Sequence, residues 1–156
     1  IGNARKLLGL HERRDKPKLL AAFKGIVESW VDPGEVAWCG AFVAVCLKQW
    51  QPDIEVPGNI LGARQWGAFG EKVKPQRGAI MTFWRGSKAG WQGHVGFMVG
   101  QDSTTYHILG GNQSDAVTIA RLEKTRLLEV RWPRGYPQSH DEAFASLAGT
   151  ISVNEA

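Results

Sequence analysis

The chain has 156 residues, 43% of them hydrophobic and 22% charged, with 19 Lys and Arg against 15 Asp and Glu for a formal charge of +4. These values describe one ordinary globular domain and exclude disordered or collagen-like chains. The longest apolar run, Trp38–Leu47, is far shorter than the roughly 20 residues that cross a bilayer, so no membrane span is expected.

Asn3 can cap a short helix over Ala4–Leu10, and Pro17 suits the first turn of a longer one reaching about Trp30, with Leu20, Phe23, Ile26, Val27 and Trp30 on one face. Asp32-Pro33-Gly34 is a stop. The next stretch, Glu35–Trp50, is apolar nearly all round, which predicts a helix buried in the middle of the domain. Pro52, Pro57, Gly58 and Gly62 mark a loop, and a short helical segment follows at Ala63–Phe69. From Gly78 the period changes. Ala79–Trp84, Val95–Val99, Tyr106–Leu109, Val117–Leu122 and Leu127–Trp132 are short β-branched and aromatic runs between Gly or polar turns, which predicts five antiparallel strands. Helices first and strands second, without alternation, give an α+β domain over 1–133. Residues 134–156 read as a linker or C-terminal tail, with a weak acidic helix at Asp141–Leu147.

Residues 1–24 carry seven basic side chains against Glu12 and Asp15, a local balance of +5. Such a segment suits an anionic polymer or a solvated helix face. Nucleic acid is not expected as a partner, because the seven Trp are not interleaved with Arg and Lys and no zinc-finger spacing is present. The first residues show no charged-then-apolar leader, so no signal peptide is expected in this chain.

Cys39 and Cys46 lie seven positions apart in the buried helix, a rise of about 10.5 Å against a limit of roughly 7 Å for a disulfide. Both should be free thiols. Cys39 falls in the first turn, where unpaired backbone N–H groups and the helix dipole favour thiolate, and where its own N–H can stabilise an oxyanion. Cys46, among Val43, Val45 and Leu47, reads as packing. Of four histidines, His94 is the candidate base: it opens a strand on the face shared with Gly96, Met98 and Gly100, whose small side chains leave room beside it. His11 and His140 lie in polar terminal segments and His107 is mid-strand. An orienting group is expected at the end of the next strand, where Asn112 competes with Asp102 and Asp115. A metallohydrolase using Cys39, His94 and His107 lacks a further ligand at suitable spacing.

Taken in order, Trp38-Cys39-Gly40-Ala41-Phe42-Val43, Ala63-Arg64-Gln65-Trp66, Gly78–Arg85, Gly93-His94-Val95-Gly96-Phe97 and Leu109–Asp115 resemble the CHAP and NlpC-type cysteine hydrolases of peptidoglycan, in a phage-associated, endolysin-like branch. The likeness covers residues 3 to 133 and rests on the combination of motifs. It implies a papain-like core with N-terminal helices, a central helix carrying the nucleophile and a five-stranded antiparallel sheet. Cys39 would attack an amide carbonyl, His94 would act as base and then acid, and Asn112 would orient His94. Trp38, Trp66, Trp91 and Glu35 would meet the substrate, with Trp66 and Trp91 the loop aromatics suited to a polymer and Glu35 equally suited to capping the helix.

The implied partner is bacterial peptidoglycan, cut at the muramoyl–L-alanine bond or within the peptide, by a monomer acting at the wall in the periplasm or outside the cell. No cofactor or metal is implied; the loop Glu12-Arg13-Arg14-Asp15-Lys16 is too basic for the calcium that some CHAP domains bind. Rival readings are a wall-binding or virion module without turnover, and an acyltransferase using the same thioester.

Overall fold

A computed structural model describes residues 1–144, 151 and 152. Three helices, α1 (Gly2–Lys6), α2 (Lys16–Phe23) and α3 (Cys39–Trp50), precede six strands. The strands are β1 (Glu71–Lys72), β2 (Ile80–Trp84), β3 (Gly93–Gln101), β4 (Thr105–Gln113), β5 (Ala116–Glu123) and β6 (Leu127–Trp132). They form one sheet in the order β1-β6-β2-β3-β4-β5, antiparallel at every pairing. This is the α+β arrangement of a papain-like core. The sheet has one strand more than the five expected, because β1 is only two residues long and exists by pairing Glu71 with Trp132 and Lys72 with Arg131. A segment so short carries no readable period.

Helix α3 packs on β3 and β4, and all its residues from Cys39 to Leu47 are buried. The core on that side combines α3 with Val95, Phe97, Val99 and Leu109, while Met81, Phe83, Met98, Ile108 and Leu122 form a second cluster. No helix among the described residues is long and apolar enough to cross a membrane.

The helix boundaries differ from expectation for local reasons. α2 stops at Phe23 because Lys24 turns extended and Gly25 takes φ +81°; Trp30, expected on its buried face, is 65% exposed. α3 starts at Cys39 and not at Glu35, because Asp32 accepts the Gly34 N–H at 2.8 Å and holds the preceding residues in turns. The Ala63–Phe69 segment is a 3-10 turn over Ala63–Ala68.

Residues 134–144 lie against the domain. Tyr136 stacks on Trp50 with ring centroids 4.6 Å apart, Asp141 pairs with Arg77 at 2.9 Å, and the Gln101 N–H donates to Ala143 O at 3.0 Å. No helix forms over 141–144, and the rest of the acidic segment expected to be helical lies outside the described residues. In the basic N-terminal segment, Arg14 pairs with Asp15 at 2.8 Å and Lys16 with Asp32 at 2.6 Å.

Candidate active site

The first residue of α3 is Cys39, and the helix has no side-chain cap, so its first-turn N–H groups are free to serve other acceptors. The thiol is almost completely buried. Desolvation, the largest influence, pushes its pKa up; opposing this are hydrogen bonds from the backbone N–H groups of Val95, Gly40 and Cys39 itself, and the positive charge of Arg85. Val95 belongs to β3, the strand on which α3 packs, and directly follows His94. Gly40 is required there: a Cβ would sit 1.8 Å from Ile60 O, the carbonyl that also accepts the Trp66 indole N–H at 3.1 Å. Cys46, seven residues on, is pushed up to about 12, chiefly by burial.

His94 is fully buried. Its Nε2 lies 2.9 Å from Gln113 Oε1, and its Nδ1 is buried without a hydrogen-bond partner. The orientation of the Gln113 amide follows from its other bonds: its Nε2 donates to Ile108 O at 3.1 Å and to Thr118 O at 2.7 Å. Oε1 must therefore accept, so His94 carries its proton on Nε2 and presents a bare lone pair at Nδ1. Burial, the largest cause, lowers the imidazole pKa to about 4; the Gln113 bond opposes this, and Arg126 and Arg85 reinforce it. Near neutrality His94 is thus a neutral imidazole and the Cys39 thiol keeps its proton.

The group on His94 is Gln113 and not Asn112, the residue expected to orient it. The reason is a break in register between Gly110 and Gln113 on the β4–β5 edge, with Asn112 in the left-handed region at φ 58°. That bulge sends Asn112 into a neighbouring cleft, while Gln113 reaches back over Gly110, where a Cβ would lie 2.7 Å from Gln113 Oε1 and 3.3 Å from His94 Nε2. The rival Asp102 is engaged elsewhere, by His107 and Arg121 at 3.0 Å each, and its bonds with His107, Thr105 and Thr104 hold its carboxyl well below the usual range. His107, offered above as a metal ligand, is held in that cluster and not beside Cys39.

A cleft of about 200 Å³ opens beside the N-terminus of α3, lined by Glu12, Glu35, Ala37, Arg85, Asn112 and Asp115 among others. Glu35 is exposed on it. Trp91 is 83% exposed in the loop between β2 and β3, three residues before His94. That loop is tied down by Arg64, which donates to Gln92 O, Lys88 O and Ser87 O at 2.8 to 2.9 Å. Trp38 and Trp66 are different: both are fully buried and offer no surface to a substrate. Trp38 packs 6.2 Å from Phe23 and donates to Glu12 at 2.9 Å, and Trp66 packs 5.4 Å from Phe69. Gln113, Glu12 and Arg85 were not singled out by sequence reasoning. Gln113 adjoins the predicted Asn112, but neither Glu12 nor Arg85 stands in a pattern that announces it.

A model of the CHAP domain family matches residues 31–112, more than half of the chain and a span that includes both Cys39 and His94. No curated protein and no solved structure matches it.

Proposed function

The chain belongs to the CHAP family, whose members are typically cysteine- and histidine-dependent amidohydrolases or peptidases, and on that premise we propose that it hydrolyses an amide bond of bacterial peptidoglycan through a covalent thioester on Cys39. One observation carries this reading: the helix that begins with Cys39 packs on the strand that carries a buried histidine, whose Nε2 is occupied by an amide and whose Nδ1 is bare. A buried histidine serving only as packing would have both nitrogens satisfied or one facing water.

Nδ1 of His94 takes the thiol proton as sulfur attacks the carbonyl, and the N–H groups of Cys39 and Gly40 face the negative charge that develops. The tetrahedral intermediate collapses by breaking the C–N bond, and the imidazolium returns its proton to the departing amine. Water, deprotonated by His94, then cleaves the thioester and restores the thiol. Gln113 keeps the Nε2–H tautomer throughout, the role first expected of Asn112. Trp91 and Glu35 remain the substrate-facing residues of this proposal.

The test is release of soluble fragments from purified sacculi, identified by mass spectrometry. Wild type should create one new amine and one new carboxyl group for each amide bond cut, and Cys39→Ala and His94→Ala should create none while remaining folded by circular dichroism. Wild-type release by the Cys39→Ala protein would overturn the assignment.

A further inference from the structure

Arg85 stands at the end of β2 on the cleft beside Cys39, and its Nε is buried without a hydrogen-bond partner. Among the described residues its guanidinium has no ion-pair partner either, although Glu12, Glu35 and Asp115 line the same cleft. Glu12 is bound to the Trp38 indole instead. An arginine presents a planar fork of five donors that matches a carboxylate bidentately, and leaving such a donor buried and unpaired is costly unless a ligand supplies the acceptor. Two residues before Arg85, Phe83 pairs with His94 on the neighbouring strand, and the charge of Arg85 acts on both Cys39 and His94.

We propose that Arg85 is a specificity-determining residue that binds a free carboxylate of the substrate peptide adjacent to the scissile amide. The acidic side chains that share the lining, Glu35 and Asp115, are then available to the N–H groups of the same peptide, so the cleft suits a peptide with one carboxylate flanked by amides and disfavours a bare polyanion. The inference rests on the hydrolase reading for its substrate, but not for its central claim about binding.

The experiment uses pairs of synthetic peptidoglycan stem peptides that differ only in a free or amidated carboxyl beside each candidate scissile amide. Binding is measured first by calorimetry to the Cys39→Ala protein, which needs no turnover. The free acid should bind at least about tenfold more tightly than the amide, the loss typical when a buried charged donor goes unpaired. Turnover by wild type should show the same preference in kcat/KM. Arg85→Gln should abolish the preference, costing the free-acid reaction at least about tenfold more than the amide reaction in kcat/KM and mainly through KM; Arg85→Lys should recover part of the preference.

Equal affinity for acid and amide, or preference for the amide, would overturn the inference whatever the variants do. So would an equal loss on both peptides in Arg85→Gln, with kcat falling and its acid limb moving, because that is the signature of an electrostatic effect on His94. Binding preference without any hydrolysis by wild type would overturn the hydrolase reading and leave this inference standing.

Discussion

Replacing Gln113 by Leu separates the two adjacent amides that compete for the role of orienting His94. The change leaves His94 Nε2–H without its acceptor and removes the donor to Ile108 O and Thr118 O, all in a buried setting. Each buried group left unpaired costs about 1–3 kcal/mol, and the shape of Leu recovers part of that in packing, so a net loss of about 2–4 kcal/mol is expected. For a chain of this size each kcal/mol lowers Tm by about 2–4 °C, giving a fall of about 4–16 °C. Activity should fall further than stability explains. Without the acceptor the proton is free to move to Nδ1, the nitrogen that takes the thiol proton in the proposed reaction, and general-base catalysis contributes about 10²–10⁴-fold. We expect kcat/KM on a stem peptide to drop at least about tenfold at a temperature well below the variant's midpoint. Asn112→Ala, at the cleft wall, should change it by less than about threefold and lower stability little, since Ala at φ 58° costs about 1 kcal/mol relative to Asn. A folded Gln113→Leu protein with wild-type kcat/KM, alongside an inactive Asn112→Ala protein, would refute the reasoning and return the role to Asn112.

Protonation of His94 should make stability fall with acid over a defined window. Its folded pKa of about 4 lies below the ordinary value of 6.5, so between those values the unfolded chain binds a proton that the folded one refuses, and stability drops by about 2 kcal/mol from pH 7 to pH 5. Urea titrations should show this slope in wild type and its loss in His94→Gln; an unchanged slope in the variant would assign the titration to another group. The carboxyls held low, Asp15, Asp32, Asp102 and Asp141, lose their contribution only at more acid pH and do not overlap most of this window. Trp91→Ala should slow action on sacculi several-fold while leaving a small stem peptide little changed, whereas Trp66→Ala should destabilise by about 3–5 kcal/mol, as expected for a buried indole; thermal melts and turnover on both substrates separate the two. Iodoacetamide should modify Cys39 before Cys46 with loss of activity, read by peptide mapping, and faster labelling of Cys46 would contradict the environments of the two sulfurs.

The apolar continuity of Trp38–Leu47 made the central helix readable, and the alternating runs after Gly78 made the sheet readable, because burial of one face imposes a period on the sequence. His94 was legible for the same reason: a polar residue opening an apolar strand between glycines is an exception to its pattern. Gln113 was not. Deciding between two neighbouring amides requires knowing that the chain bulges between Gly110 and Gln113, and a one-residue shift moves every later side chain to the other face. The same limit applies to tryptophan, since Trp66 and Trp91 both sit near Gly and polar residues, yet one lies under Gly40 and the other in solvent. Arg85 was illegible because its proposed role rests on its having no ion-pair partner among the described residues, which depends on distant parts of the chain.

Two thiols on one helix differ in environment by position and not by residue type. Burial raises both Cys39 and Cys46. Mid-helix, the backbone N–H groups around Cys46 are already committed to carbonyls one turn earlier, so the sulfur gains little from them. At the first turn the same groups have no intrahelical acceptor, and the N–H groups of Val95, Gly40 and Cys39 itself favour negative charge on the Cys39 sulfur. Those groups do not make it a thiolate at rest, because a dry pocket penalises both the thiolate and the imidazolium of a His94 lowered to about 4. They preorganise the place where negative charge will appear. Proton transfer then becomes favourable as the carbonyl carbon arrives to share the sulfur's charge, so in the proposed reaction deprotonation and attack belong to one step. The acid limb of kcat/KM should consequently lie nearer 4 than 6.5, and a limb at 6.5 or above would mean that the free enzyme holds His94 in a wetter environment than this structure describes.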